Sequence, residues 1–317
     1  MKAVVIHEAG GPEKLFLEER PVPQVREGWS LVRVKGFGIN HSEIFTRKGL
    51  SPSVTFPRIL GIECVGILER STDPEKLPEG TRVVSIMGEM GRAYDGGYAE
   101  YVLLPNEQIY PVSTSLSWEE LAAVPETFYT AYGAFLNLKI TADSSVMVRG
   151  ASSGVGIAFL KLVKGKYPDV SVTGSSRNPN KAGELLRAGF DRILTDAEGQ
   201  LPGTGQYDRI LELIGPKTIK DSLAHLREGG ILCSAGQLGG QWYLEEFDPI
   251  MELMNNVYLT TFYSGNVSAG KMNEMFSFIE SNHIDVKPER LFTLDQVPEA
   301  HRWMEESHSF GKCVVLT

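Results

Sequence analysis

Hydrophobic and polar positions follow two different rhythms along the chain. Over the first hundred residues, short β-branched runs at Ala3–Ile6, Ser30–Val34, Cys64–Leu68, Arg82–Ile86 and Tyr98–Leu103 stand between Gly- and Pro-rich turns. That spacing predicts a barrel-like β domain. From Trp118 the pattern turns helical behind Ser117, a good N-cap. Beyond it, strands at Ser145–Val148, Val170–Thr173, Arg192–Leu194, Arg209–Leu213, Gly230–Ser234 and Val257–Tyr263 alternate with helices at Gly154–Lys164, Asn180–Ala188 and Ile219–Leu226. Such alternation predicts a parallel, doubly wound sheet. A helix at Ala269–Ser281 follows, and the β-branched strand Lys312–Leu316 is expected to return the chain to the first domain.

Composition narrows the class of partner. A length of 317 residues suggests two domains. Hydrophobic residues at 42% and charged residues at 22% suit a folded globular protein rather than a disordered chain. Lys+Arg 31 against Asp+Glu 40 leaves −9, which disfavours nucleic-acid backbones and anionic membranes. Cys64, Cys233 and Cys313 are widely spaced without a CxxC, so neither a disulfide framework nor a four-cysteine zinc lobe is expected. The apolar run after Met1 is too short for a signal peptide, and no uncharged stretch reaches the roughly 18 residues of a membrane span. The expectation is a soluble, cytoplasmic protein.

The clearest chemistry lies at Gly150-Ala151-Ser152-Ser153-Gly154-Val155-Gly156, directly after an apolar strand and directly before a helical pattern. Glycines let backbone approach a pyrophosphate, and the amides and dipole of a helix start stabilise its charge. Where NAD-binding folds carry an acidic residue about 20 positions later, this chain has Ser175, Ser176, Arg177 and Lys181. Two hydroxyls and two cations suit a 2′-phosphate, so NADPH is the expected cofactor. The glycine string is also similar to that of short-chain dehydrogenases, but no tyrosine here is followed by lysine four residues later.

Taken with Gly38-Ile39-Asn40, Phe56-Pro-Arg-Ile-Leu-Gly61-Ile62-Glu63, Gly96-Gly-Tyr-Ala-Glu-Tyr101, Thr130-Ala-Tyr132 and Gly311-Lys312, the turn completes an order spanning almost the whole chain. In that order the sequence resembles the zinc-free quinone oxidoreductase (zeta-crystallin-like) branch of the medium-chain dehydrogenase/reductase superfamily. The resemblance implies an α/β protein: a GroES-like β-barrel catalytic domain, 1–118 and 267–317, with a Rossmann NADPH-binding domain, 119–266, inserted into it. It further implies NADPH held in a cleft and a homodimer, which pairing through an open Rossmann edge strand would satisfy. Related alcohol dehydrogenases place zinc-ligating Cys, His and Cys where this chain has Asn40, Ile62 and Glu126. One carboxylate does not make a catalytic zinc site. Hydride delivery to an already electrophilic carbon, in a quinone or an α,β-unsaturated carbonyl, is the chemistry this implies.

By the same resemblance, Asn40 and Thr130 are the candidate catalytic residues. The cofactor-binding set comprises Gly150, Ala151, Ser153, Gly154, Val155, Gly156, Ser175, Ser176, Arg177, Lys181, Phe262 and Lys312. His41 titrates in a useful range for a proton donor, whereas a phenol found five residues after the matching asparagine in relatives is replaced by Phe45. Tyr94, Trp242, Tyr243, Phe262 and Tyr263 could line an aromatic-accepting pocket, or serve as core or a dimer seam. Two rival readings stand beside the reductase: a non-catalytic NADPH-binding sensor or structural protein, and a zinc-dependent alcohol dehydrogenase.

Overall fold

The computed structural model describes residues 1–203, 207–306 and 309–317. Two compact units emerge. The first comprises Met1–Glu126, Gly265–Ser277 and Val286–Thr317, and the second Thr127–Ser264 and Phe278–Asp285.

In the first unit the β-branched runs form β1 (Lys2–Ile6), β2 (Leu15–Glu19), β3 (Trp29–Gly38), β4 (Arg58–Ile59), β5 (Glu63–Arg70), β6 (Arg82–Ile86), β7 (Tyr101–Pro105) and β8 (Tyr110–Pro111). The second unit supplies β9 (Val146–Arg149), β10 (Val172–Ser176), β11 (Arg192–Thr195), β12 (Tyr207–Glu212), β13 (Leu226–Ser234) and β14 (Tyr258–Thr261). Strands β15 (Arg290–Thr293) and β16 (Cys313–Leu316) return to the first unit. Helices are α1 (His41–Arg47), α2 (Trp118–Ala122), α3 (Pro125–Leu138), α4 (Gly154–Lys166), α5 (Ala182–Ala188), α6 (Ile219–Ala224), α7 (Pro249–Glu252), α8 (Ala269–Ser281) and α9 (Val297–Glu305).

Among the described residues, β15-β16-β3-β5-β6-β8 form one sheet with β7 also on β3, and β2-β1-β4 form a small second sheet. Their inward faces meet in one core that includes Val4, Ile6, Phe37, Leu60, Tyr98 and Val315. The alternation of buried and half-buried positions on β7 is the period-two signature of a strand with one face on the core. In the second unit β11-β10-β9-β12-β13-β14 run parallel. This is the 3-2-1-4-5-6 order of a Rossmann sheet, whose strand order reverses between β9 and β12. Central strand β9 is wholly buried, as a strand covered on both faces must be.

Several boundaries differ from the sequence pattern. The strand expected at Val170–Thr173 is Val172–Ser176, because pairing with both β9 and β11 extends it. Ser175 and Ser176 therefore end a strand rather than sit in the loop after it. The strand expected at Tyr98–Leu103 is Tyr101–Pro105, and that at Val257–Tyr263 is Tyr258–Thr261. Helix α3 carries apolar residues on several faces, so no amphipathic stripe announces it. Strands β2 and β15 likewise fall in stretches whose local pattern is weak, whereas helix α9, also absent from the expected elements, is clearly amphipathic.

Packing of α3 against the end of β14 rests on a glycine. The Phe262 ring lies where a side chain at Gly133 would stand, and it also meets Tyr129 at 5.8 Å between ring centroids. Gly133→Ala should lower the unfolding free energy by about 1–3 kcal/mol despite the better helix propensity of alanine, since overpacking wins over a gain of about 1 kcal/mol. Adding Phe262→Leu should restore most of the loss, as chemical denaturation of the two variants would read out.

Candidate cofactor turn and buried charge clusters

Gly150 leaves β9 with φ +85°, a backbone that L side chains rarely adopt, and a Cβ there would press on Leu213 and Ile214 at 3.3 Å. Ser153 caps α4: its hydroxyl donates to Gly150 O at 2.8 Å and accepts from Gly156 N–H at 3.1 Å. A Cβ on Gly156 would lie 2.7 Å from Ala151 O and 2.8 Å from Gly150 O, so only glycine lets the helix close onto the turn. The turn thus presents a helix start to its surroundings. Gly156 N–H is taken by Ser153, whereas Gly154 and Val155 N–H have no intrahelical acceptor by helix geometry. Ala151 N–H donates instead to Ser175 O at 3.1 Å, tying the turn to β10.

The four polar residues after the turn differ in availability. Ser175 is buried and its hydroxyl finds no hydrogen-bond partner among the described residues. Ser176 donates its hydroxyl to Asn178 O at 3.1 Å and accepts Asn178 N–H at 3.2 Å, which spends it on a local turn. Arg177 is exposed and Lys181 half-buried. Burial, set against a raising effect of Glu184, and the nearby positive charge of Arg177 together hold Lys181 below the ordinary lysine range. Two cations thus stand close together. An orphaned hydroxyl, a glycine cradle at a helix start and paired cations fit a dinucleotide carrying a 2′-phosphate.

Beneath the turn lies a cluster that the sequence pattern did not reveal. Arg149, wholly buried at the end of β9, donates from Nε and Nη2 to Asp196 at 2.9 and 3.2 Å. Its Nη1 donates to Asp221 at 2.7 Å, Ser222 Oγ at 2.9 Å and Thr218 O at 3.1 Å. Burial pulls Arg149 down, but Asp196, Glu212 and Asp221 outweigh it and hold the guanidinium above its ordinary value. Glu212, pushed up by burial, accepts Ile214 N–H and Gly215 N–H at 2.7 and 3.2 Å. The signal available in sequence was a charge closing an otherwise apolar strand, Val-Met-Val-Arg149, which demands a buried partner.

In the first unit, Asn40, Glu43, Glu63 and Lys312 converge. Lys312 Nζ donates to Asn40 Oδ1 and to Glu63 Oε1, both at 2.6 Å. Asn40 Nδ2 donates to Glu63 at 2.8 Å and Glu43 at 3.4 Å, so the whole amide of Asn40 is engaged inside the protein. Glu63 Oε2 accepts Glu126 N–H at 2.9 Å, and Glu43 accepts Asn40 N–H and Ile62 N–H, both at 3.1 Å. Glu43 and Glu63 are buried. Burial pushes Glu43 up to about 7, against the lowering effect of its amide donors. Burial pulls Lys312 down, but Glu63 and Glu126 reverse the direction and hold its ammonium charged. Gly38 is required beside this pair, because a Cβ there would overlap Lys312 and meet Glu63 Oε1 at 2.5 Å.

The remaining candidates are scattered. Thr130 is buried on α3. His41 opens α1, and burial holds its imidazole below the ordinary range, so it is neutral near pH 7. Phe45 lies on the same helix. The single hydroxyl hydrogen of Tyr94 is shared between Gly88 O, at 2.6 Å, and the Gln108 side-chain oxygen, with the ring edge-on to Trp29. Trp242, Tyr243 and Tyr263 are exposed on the second unit, and Phe262 is used in packing α3.

Two family models match the chain. One, described as alcohol dehydrogenase GroES-like domain, covers residues 26–114, and the other, described as zinc-binding dehydrogenase, covers 188–315. The first unit is accordingly GroES-like. A zinc-type alcohol dehydrogenase-like protein of Schizosaccharomyces pombe is 26% identical over 99% of both chains. The quinone oxidoreductase of Mus musculus is 29% identical over 75% of this chain and 74% of its own. Among solved structures, mycobacterial Rv1454c complexed with NADPH is similar with a TM-score of 0.83 at 25% identity over the full length of both chains. The yhdH oxidoreductase of Salmonella enterica, in complex with NADP, shares the fold with a TM-score of 0.85 at 21% identity, again over both full lengths.

Another buried group of the first unit makes stability depend on pH. His301 stands between Tyr98 OH, 3.0 Å from Nε2, and Arg47 Nη1, 3.4 Å from Nδ1. Burial first and Arg47 second, against Glu305, bring it down to about 3. Between its unfolded value near 6.5 and that folded value the unfolded chain binds a proton that the native state refuses. Stability is therefore lost on acidification through this window, by up to about 1.4 kcal/mol per pH unit. Glu43 acts oppositely: raised from 4.5 to about 7, it favours the native state as pH falls through 7 to 4.5. His301→Gln should make the slope of unfolding free energy against pH less positive by about 1 kcal/mol per unit between pH 6.5 and 5, and Glu43→Gln should make it more positive. Denaturation at a series of pH values checks both signs.

Proposed function

Because this chain belongs to the medium-chain dehydrogenase/reductase superfamily, we propose that it is an NADPH-dependent, zinc-independent oxidoreductase that reduces quinones or α,β-unsaturated carbonyls. The observation that carries this reading is the Lys312 ammonium seated on Asn40 and Glu63. Relatives that use zinc place ligands at the positions of Asn40, Ile62 and Glu126, and this donor set does not fit the metal: one ligand position is an isoleucine, and the Asn40 oxygen already accepts from a cation. A dication brought there would meet that ammonium in a poorly solvated site. The description of one matched family model as zinc-binding is therefore not carried over to this chain. A carbonyl without a strong Lewis acid is poorly polarised, which favours substrates already activated by conjugation. The similarity to quinone oxidoreductases supports the same substrate class.

The NADPH assignment draws support from the second unit and from the similarity to Rv1454c, which was solved with NADPH. Gly150 and Gly156 let the turn close onto the helix start, and the Gly154 and Val155 amides face a pyrophosphate there. Ser153 shapes the turn rather than binding, since both roles of its hydroxyl are filled. The Ser175 hydroxyl, Arg177 and Lys181 receive the 2′-phosphate. When bound, the reduced nicotinamide supplies the hydride. Asn40 holds Lys312 and the two carboxylates in register, Thr130 stands beside the redox ring, and solvent provides the proton in place of a phenol at Phe45. Phe262 acts through α3 rather than on the cofactor, and Lys312 is the internal cation. Residues 1–118 and 267–317 make the catalytic domain and 119–266 the cofactor domain.

The assembly is proposed as a cytoplasmic homodimer. Strand β14 has β13 on one side and, among the described residues, no strand on the other, with Tyr258 and Tyr263 exposed nearby. No helix of the described residues is long and apolar enough to cross a membrane.

Arg177→Ala should raise KM for NADPH by about tenfold or more, the worth of one charge-assisted contact, and leave KM for NADH nearly unchanged. Equal steady-state use of NADPH and NADH by the unaltered protein would sink the cofactor assignment, and binding without turnover of any quinone or enone in a panel would sink the reductase. Elemental analysis of the purified protein should find well under one zinc per chain, with turnover unaffected by a chelator; one tightly held zinc per chain is the opposing result.

A further inference from the structure

The end of β10 is held from two sides. Ala151 N–H, from the glycine turn, donates to Ser175 O at 3.1 Å, and Asp196 N–H, from the residue after β11, donates to Ser176 O at 3.0 Å. The Asp196 carboxylate in turn grips the Arg149 guanidinium through two hydrogen bonds at 2.9 and 3.2 Å. Arg149 precedes Gly150 in the chain. The contacts therefore close a ring, Arg149 to Gly150 and Ala151, across to Ser175 and Ser176, on to Asp196 and back to Arg149. Side chains of Ser175, Arg149 and Glu212 lie in register on β10, β9 and β12, so one face of the sheet ends in this polar row. The far side of Arg149 is anchored on α6 by Asp221, Ser222 and the Thr218 carbonyl. Arg149 and Asp196 are both buried.

This ring joins the two segments to which the NADPH reading assigns the pyrophosphate and the 2′-phosphate. We propose that the buried Arg149–Asp196 ion pair is a clamp that fixes the distance between the glycine turn and the Arg177–Lys181 segment, and so makes both residues positioning residues for selectivity toward a 2′-phosphorylated dinucleotide. A bidentate guanidinium–carboxylate pair defines distance and angle together, which a single hydrogen bond does not. Because both partners are desolvated in a packed interior, the spacing they set is stiff. Arg177, an exposed and flexible cation, reaches its target only from a strand end held in place. The clamp itself acts at a distance, through the strand end, and not by touching the dinucleotide. It rests on the NADPH reading, and it fails separately from it.

The test is a titration of full-length protein with NADPH and with NADH, followed by fluorescence, on the unaltered chain and on Asp196→Asn and Arg149→Lys. Each variant is first checked for cooperative denaturation, and two substitutions are used because either alone could leave a buried charge unmatched. Either folded variant should lose about tenfold or more of the NADPH-over-NADH selectivity, largely by weaker NADPH binding. Leu232→Ala, a core truncation in the same unit, should lower stability without changing the selectivity ratio. In an Arg177→Ala background, Asp196→Asn should remove less selectivity than it does alone, since the clamp acts through Arg177 as well as Lys181. Unchanged selectivity in folded Asp196→Asn or Arg149→Lys would overturn the clamp, as would additive losses in the double variant or an equal loss from Leu232→Ala. If the unaltered protein binds both dinucleotides equally, the NADPH reading falls first and the clamp with it; if it is selective and the variants remain so, only the clamp falls.

Discussion

The Glu63 carboxylate is the constraint on which the first unit depends. Wholly buried, it is satisfied by Lys312, by the Asn40 amide and by the Glu126 N–H, contributed from positions 40, 126 and 312 of the chain. A lone buried carboxylate is strongly destabilising, by several kcal/mol, so these partners must arrive together or the unit does not close. The return of the chain as β16 beside β3 is what brings Lys312 to Asn40, and Gly38 leaves the room for it. Charge inside this unit is thus compensated locally, one ammonium against neighbouring carboxylates, with Glu43 held near neutrality by its surroundings.

The second unit solves a related problem differently. A parallel sheet covered on both faces leaves little water to solvate the strand ends, yet the glycine turn must expose amides there. Arg149 ends the central strand with a charge that five contacts absorb, and the neighbouring amides of Ile214 and Gly215 are absorbed by Glu212. The polar row stiffens the strand ends while the turn itself stays open at Gly154 and Val155. Rigidity below and available donors above are the combination that anion binding at a helix start needs.

The matched family names and the donor chemistry point in different directions on metal. A model described as zinc-binding dehydrogenase fits residues 188–315, a segment that contains none of Asn40, Ile62 and Glu126. Fold similarity follows from packing and hydrogen-bonded register, which tolerate exchange of a few polar side chains. Function follows from those few. An ammonium and a metal dication can serve the same buried carboxylate but demand different neighbours, and Glu63 is here served by the Lys312 ammonium.

Hydrophobic periodicity in the sequence determined the β-rich first part, the βαβ alternation and the placement of the glycine turn between strand and helix, because those depend on local sterics and burial of one face. It also located Arg177 and Lys181, whose charge pattern is local. The sequence placed Asn40 and Lys312 in the candidate set but not against each other, since 272 positions separate them and only the pairing of β16 with β3 closes that distance. Helix α3 and strand β15 were invisible to periodicity because their environment, not their pattern, selects the conformation. Tertiary structure alone decided that Phe262 packs on Gly133 and that Arg149 and Asp196 pair. Each is a hydrogen bond or contact whose partner is chosen by three-dimensional proximity, and burial is what makes that choice obligatory.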